Sequence, residues 1–422
     1  MNADDAARPA PTVGRALAAV LALLTIFGPI SMDLYLPVLP ELTRELGSAT
    51  SVAQLTITAC LLGLAIGQVI AGPLSDRFGR RRPLLIGVVA FIVTSIACAA
   101  SPTVEFLIGA RFIQGLAGAV GIVIAQAAGR DIYSGGRLAR YYGTLTVLGG
   151  LAAIVGPVIG GQLASVTDWR GIFLFLAAVG VVILVGALAI MRETLPPERR
   201  LGGGLAPTLG GFRELLRDRV FLGAVLITGF VNAALFAYLS GATFVLQGIY
   251  GLSPQEYSFA FGLNSLGFMV FGFLAGRSTE RWSDTGTLAV GLSMCLVGAG
   301  GLLATAALHL PLLAVVLSLL AMVSGVAVTT PPGTSLALAD YPHMAGTASS
   351  LLGLARFAFG GITAPLIGLG GADDALPLGL VTVASMTLAV AAYVVCVRRG
   401  GRRSSRRTPA RRLSGQPATE PV

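Results

Sequence analysis

Gly72-Pro-Leu-Ser-Asp-Arg-Phe-Gly-Arg-Arg-Arg82 separates two apolar runs, residues 51–73 and 83–101. Each run is long enough to cross a bilayer as a helix, which takes roughly 20 residues. Glycines at 72 and 79 permit a sharp turn and a close approach of the two helices. Asp76 offers a carboxylate to backbone N–H groups at a neighbouring helix N-terminus, and Arg77, Arg80 and Arg81 can pair with it. Contacts of this kind form in one conformation and break in another, so the loop reads as a latch. The plainer reading is a basic loop that only sets orientation.

Outward from this loop, apolar stretches recur near 15–39, 51–73, 83–101, 104–128, 141–165 and 170–191, and again near 220–246, 256–276, 286–308, 311–332, 344–369 and 377–397. The chain has 422 residues, is 55% hydrophobic and only 12% charged, and its mean hydropathy of +0.82 lies far above the soluble range. Its 56 glycines and 22 prolines suit close helix packing and broken helices in lipid. The expected fold is an all-α polytopic membrane protein with twelve transmembrane helices in two six-helix pseudo-repeats. The segments read as an N-terminal stretch (1–14), a first bundle (15–191), a Gly/Pro-rich linker (192–219), a second bundle (220–397) and a basic tail (398–422).

The repeat is visible in the residues. Gly72-Pro-Leu-Ser-Asp-Arg77 returns as Gly272-Phe-Leu-Ala-Gly-Arg277, and Gly156-Pro-Val-Ile-Gly160 returns as Ala364-Pro-Leu-Ile-Gly368. Parallel six-helix repeats with a site between them at the midplane are a transporter architecture. All 29 basic residues are arginine, and 25 of them fall on one side when alternate loops are assigned to opposite faces. The positive-inside rule makes that side cytoplasmic and puts both termini there. This membrane-oriented distribution, despite a pI near 9.9, argues against nucleic acid as a partner. The tail RRGGRRSSRRTPARR (398–412) reads as topogenic or as a contact for anionic lipid. The first apolar run follows a polar N-terminus without a small-residue cleavage site, so it is expected to stay as the first helix.

Charges inside the spans mark the candidate site. Asp33 lies in RALAAVLALLTIFGPISMDLYLPVLP (15–40), with Pro29 and Pro37 four residues to either side. A carboxylate there costs several kcal/mol unless it is neutralised or faces a polar cavity, which makes it a proton or cation carrier or else a satisfied interhelical contact. Arg111, in Arg-Phe-Ile-Gln-Gly115 of the fourth span, can release the proton of a nearby carboxylate, or act as a structural or snorkelling residue. Arg356 in the eleventh span is open between substrate contact and pairing. Asp131, at the end of the fourth span, reads as a gate or helix-end contact. Tyr35, Phe236, Tyr238, Phe244, Phe261, Asn264 and Phe268 are candidates for the wall of a substrate cavity, with lipid or packing roles as the alternative for each. The fifth span carries Gly149 and Gly150, then Gly156-Pro157 and Gly160-Gly161, small residues for close packing around a helix-bending proline. Cys60, Cys98, Cys295 and Cys396 are too scattered for a metal cluster, and His309 and His343 are too few for a histidine site. HExxH, G-x-S-x-G and P-loop patterns do not occur, which argues against an intramembrane enzyme or a self-powered pump.

The loop at 72–82 resembles the loop 2–3 signature of the major facilitator superfamily, G-x-L-x-D-R-x-G-R-R. Its second copy has Gly276 in place of the acid, which implies a weaker latch there. The fifth-span pattern Gly149…Gly156-Pro157…Gly160-Gly161 resembles the antiporter motif of that superfamily's drug exporters. MDLYLPVLP (32–40), RDIY (130–133), ETLPPERR (193–200) and YPHMAGTASSLLGLARF (341–357) are similar to the Bcr/CflA subfamily of bicyclomycin and chloramphenicol resistance exporters, and the likeness runs along nearly the whole chain. The resemblance implies drug:proton antiport by alternating access at a bacterial inner membrane. It also implies Asp33 and Arg111 in proton coupling, a small amphipathic drug-like substrate, no cofactor beyond the coupling proton, and a monomer in lipid. Transport of an endogenous metabolite, outward or inward, is the alternative.

Overall fold

The computed structural model describes residues 15–133, 155–200, 205–278, 283–338, 345–368 and 374–398, with single positions at 141, 144, 145, 148, 152 and 341. Every regular element among them is helical. The first span is broken. Its helix Arg15–Asp33 gives way to a 3₁₀ turn at Leu36–Val38 and a short helix, Leu39–Glu45, and the arms Ala19–Gly28 and Ile30–Glu45 meet at 50° about position 29. Pro37 opens the 3₁₀ turn, where its missing N–H and fixed φ are tolerated.

The second to fourth spans are Thr50–Phe78, Arg81–Ala99 and Val104–Ile132, and the sixth is Trp169–Ile190. In the second half the seventh is Arg219–Thr243, extended by a π-turn to Ile249. Then come the eighth (Pro254–Ser278), ninth (Asp284–Leu308), tenth (Leu312–Leu338), eleventh (Ala345–Ile367) and twelfth (Leu376–Ala392, with a π-turn to Arg398). Ten of these are unbroken and apolar enough to cross a membrane, and the bent first span makes eleven. The expected fifth span, 141–165, is described as continuous helix only over 155–163; much of its earlier part, Gly149 and Gly150 included, lies outside the described residues.

The duplication read from the motifs is also a duplication of packing. The first span packs on the fourth and sixth, the second on the fourth, and the third on the fourth and sixth. The same five pairings recur six spans later: seventh with tenth and twelfth, eighth with tenth, ninth with tenth and twelfth. Small residues bring the second and fourth spans together. A Cβ at Gly63 would strike the Phe112 carbonyl, and one at Gly115 the Cys60 carbonyl. The second and eleventh spans join the two halves. Large apolar side chains such as Val182, Phe259 and Val297 are exposed on the outer faces of the bundle, as lipid contact requires.

The linker is more ordered than its glycines and prolines suggested. Leu205–Leu215 is a helix, and its Phe212 and Leu215 are buried against Phe221, Ala348 and Leu351. It touches both the second and the eleventh spans. An apolar pair three residues apart on a short helix is enough to dock it.

Candidate functional site

Asp33 is the last residue of the first helix, four residues beyond the 50° bend, and is 7% exposed. The fifth span approaches it closely: a Cβ added at Gly156 would lie 2.7 Å from the Asp33 Cβ. Four residues on, a Cβ at Gly160 would strike the carbonyl of Leu34. Two glycines and the buried Pro157 between them thus let one helix lie directly on the end of another. Among the described residues the Asp33 carboxylate makes no hydrogen bond and no ion pair of 4 Å or less. Its charged neighbour is Arg356 of the eleventh span, within electrostatic range across the junction of the two halves. Tyr238 of the seventh span and Tyr257 of the eighth also lie within that range.

Arg356 is exposed although it sits mid-span, so its guanidinium faces a solvent-accessible space. It lies 5.6 Å from the Phe357 ring. Phe357 in turn pairs with Phe236 at 5.9 Å. Tyr238 stacks on Phe261 at 5.7 Å, and its hydroxyl accepts from the Asn264 side-chain amide at 3.2 Å. Phe244 is buried and Phe268 half-buried, both in the main core. The hydroxyls of Tyr257 and Thr243 lie close to each other, yet neither completes a hydrogen bond of normal geometry.

Arg111 is fully buried on the other side of the first span. It sits over the rings of Tyr35 (5.0 Å) and Phe173 (5.6 Å). It donates to the Gln114 carbonyl at 2.6 Å and to the Ser31 backbone carbonyl at 3.4 Å. Gln114 passes the chain on to Ser95 at 2.7 Å. Arg111 has no carboxylate partner among the described residues, and Asp33 answers to Arg356 rather than to it. Tyr35 turns into the first bundle, its hydroxyl 2.8 Å from that of Thr56, and does not line the space that Arg356 faces.

The 72–82 loop is a charge cluster. Gly79 takes φ +86°, which ends the second span and turns the chain. At Gly72, by contrast, an added Cβ would meet nothing within 4 Å, so no close helix approach depends on that glycine. Arg80 is 5% exposed and forks between Asp76 (2.5 Å), Asp131 of the fourth span (2.9 Å) and the Ser75 hydroxyl (2.6 Å). Burial works against its charge, but Asp131 and Asp76 outweigh that and push its value up. Arg77 stays outside the cluster, over the Phe78 ring. The acid that caps the third span's N-terminus is Glu193 of the linker, not Asp76. Glu193 accepts from the backbone N–H groups of Arg80 (2.7 Å) and Arg81 (3.2 Å) and from that of Leu195 (3.0 Å). Burial pushes its carboxyl up, yet these three donors and the charge of Arg200 prevail and hold it below the usual carboxylate range. Thr194 adds a bond to Asp131 at 3.0 Å, and Arg81 donates to the Leu188 carbonyl at 3.2 Å. In the second-half copy, Arg277 lies over the Phe273 ring.

The opposite end of the second span joins the halves without charge. Gln54 donates to the Ser240 carbonyl at 3.3 Å, and Gln247 donates to the Pro37 carbonyl at 3.1 Å. Gly161 lies on Ser258 and Pro254 of the eighth span, and Gly368 lies on Ser51 and Gln54. Glu193, Gln54, Gln247 and Ser258 were not singled out from the sequence. Only Glu193 carried a signal, as a lone acid directly after a span.

Known proteins agree with this architecture. The sequence model of the Major Facilitator Superfamily matches residues 21–365, and the chain belongs to that superfamily of transporters. It is 36% identical over 90% of its length to the MFS-type transporter YdgK of Bacillus subtilis (strain 168), covering 94% of that protein. It is 30% identical over 88% of its length to a bicyclomycin resistance protein homolog of Haemophilus influenzae, covering 94% of it. Among solved structures, a bacterial homolog of the human lysosomal transporter Spinster, inward-facing and unoccupied, superposes with a TM-score of 0.72 over 93% of this chain and 98% of that one. At 15% identity that likeness shows the fold alone.

Proposed function

We propose that this transporter is a drug:proton antiporter that exports small amphipathic compounds across a bacterial cytoplasmic membrane, with both termini on the cytoplasmic face. The observation that carries the reading is the placement of Asp33. A carboxylate without a hydrogen bond or ion pair among the described residues ends the first helix just past its bend, held against Gly156 of the antiporter-like motif and within electrostatic range of Arg356 in the opposite half. A group so placed can bind a proton from one side and release it to the other as the halves rock. The resistance-type name of the Haemophilus relative and the Bcr/CflA-like strings favour export of antibiotics over nutrient uptake.

In this scheme Asp33 takes its proton from outside, which lowers the cost of passing through an occluded state. Substrate then enters from the cytoplasm or the inner leaflet and favours proton release. Arg111 acts through Tyr35 and the first-span backbone rather than by touching Asp33. The Arg80 cluster, expected as a latch, bonds only within the first half and to the linker among the described residues, so in this scheme it keeps the first bundle and the linker together through the cycle. The unit at work is the monomer in lipid, and no cofactor beyond the coupling proton takes part.

The test is drug-induced proton movement in energised inverted vesicles, comparing wild type with Asp33→Asn at matched expression and offering chloramphenicol, florfenicol and bicyclomycin. A pH response in wild type that is absent in the variant is the expected outcome. An equal response in both would move the carrier elsewhere.

A further inference from the structure

The outer arm of the first span, Ile30–Glu45, lies between the two halves and is held from both sides. Toward the second half it touches the seventh and eighth spans, and its Pro37 carbonyl accepts from Gln247 at 3.1 Å. Toward the first half the hold is stronger. The Glu45 carboxylate, at the tip of the arm, accepts from the Trp169 indole N–H at 2.6 Å and pairs with the Arg170 guanidinium. Both residues open the sixth span, whose start is capped by Asp168 accepting from the Gly171 N–H at 3.0 Å. Arg170 lies over the Trp169 ring at 4.2 Å, which keeps its charge beside the same carboxylate. One turn on, Phe173 meets the Trp169 ring edge-on at 6.2 Å and the Tyr35 ring at 5.4 Å. All three rings are fully buried. The sixth span thus braces the arm with rings at its Tyr35 end and with charge at its Glu45 end.

The sequence singles out the same pair independently. Of the 29 arginines, only Arg44 and Arg170 fall on the outer side when alternate loops are assigned to opposite faces, against the positive-inside bias. Among the described residues Glu45–Arg170 is also the one ion pair away from the 72–82 loop and the linker. An exposed ion pair alone contributes little. This carboxylate, however, is also the acceptor for the N–H of a buried indole, which loses its partner if Glu45 is removed. We propose that Glu45 anchors the outer arm to the sixth span, so that the arm, with Asp33 on it, travels with the first half. Glu45 is thereby a positioning residue for that arm, and the outer side opens where the arm leaves the second half, at the Gln247–Pro37 contact. Such anchoring needs only that the halves rock against each other, whatever the substrate or coupling ion.

Spin-label distances in the purified full-length protein, with the four native cysteines replaced, test it. Labels at Arg44→Cys and Leu174→Cys span the arm and the sixth span. Labels at Arg44→Cys and Leu376→Cys span the arm and the second half; all three positions are exposed. Glu45→Ala should at least double the width of the arm-to-sixth-span distribution. Glu45→Gln keeps an acceptor for the indole N–H and loses only the ion pair, so it should broaden that distribution less. Gln247→Leu should leave it unchanged and add a longer distance between the arm and the second half. If Glu45→Ala does not fold, Arg170→Gln carries the same expectation as Glu45→Gln, since it too removes the ion pair alone. An arm-to-sixth-span distance that none of these changes at Glu45 or Arg170 alters overturns the anchor, even where the melting temperature falls. So does a distance that Gln247→Leu broadens as much as Glu45→Ala. Vesicle proton movement, which judges the antiport reading, plays no part in either outcome.

Discussion

At its Phe78 end the second span runs into a cluster of charge, and at its Thr50 end its Ser51 and Gln54 meet Gly368 and the Ser240 carbonyl of the other half. The Arg80 cluster, with Asp76, Asp131 and Glu193, ties spans of the first half to one another and to the linker. The contacts of Gln54, Gln247, Gly161 and Gly368 tie the first half to the second. The difference teaches where a rocking transporter can place strong bonds. A forked arginine pair is strong and geometrically exacting, which suits parts that move as one body. Neutral amide–carbonyl bonds contribute roughly 1 kcal/mol each, and glycine contacts part without stranding a charge, so both suit a seam that must open and close.

The largest effect should come from removing the centre of the charged end. Arg80→Ala leaves the half-buried Asp131 with the Thr194 hydroxyl but without its cation, and a loss of about 3 kcal/mol is expected from broken pairs of this kind. A marked fall in the thermal unfolding temperature of the purified protein would register it. Arg80→Lys should recover only part of the loss, because an ammonium cannot fork between two carboxylates. If Arg80→Ala melts like wild type, the cluster does not hold the first half together.

A smaller change is expected at Glu193, on the order of 1 kcal/mol for Glu193→Gln, since backbone donors can still bond a neutral amide. Its folded carboxyl lies below the ordinary value of 4.5. The stability it adds is therefore complete above that value and is lost as pH falls through the depressed folded value. Unfolding curves measured from neutrality to well below pH 4.5 should show that loss in wild type and a shallower one in Glu193→Gln. Parallel curves would remove Glu193 from the cap.

The smallest change in melting should come at the neutral end, where Gln54→Leu or Gln247→Leu takes about 1 kcal/mol from the closed seam alone and shifts its open population about fivefold. Accessibility of an introduced cysteine near the seam should rise without any change in melting temperature. A drop in melting temperature equal to that of Arg80→Ala would erase the distinction between the two ends.

Much of this was legible in the sequence, for reasons that also explain what was not. A run of apolar residues announces a spanning helix, and a carboxylate inside one announces itself, so the spans and Asp33 could be read directly. The fifth-span glycines were readable as packing positions, but that Gly156 packs on Asp33 is a fact of tertiary arrangement. Arg356 and Arg111 look alike in sequence, each a lone arginine in an apolar helix. Only the fold shows that one faces an accessible space toward Asp33 while the other is sealed beneath Tyr35 and Phe173. Tyr35 sits beside Asp33 in a promising string, yet two positions along a breaking helix turn it into the first bundle. The linker helix hid among glycines and prolines, since docking by Phe212 and Leu215 needs the surface formed by Phe221 and Leu351.

The most direct test of the two-end account measures distances at both ends in one chain background. With the four native cysteines replaced, spin labels at Ala49→Cys and Leu376→Cys would report across the neutral seam. Labels at Phe78→Cys and Arg192→Cys would report across the charged cluster; all four positions are exposed. The account predicts two distance populations at the seam whose ratio changes when chloramphenicol is added, and a single unchanging distance at the cluster. A seam distance fixed in every condition, or a cluster distance that moves as far as the seam, would contradict it.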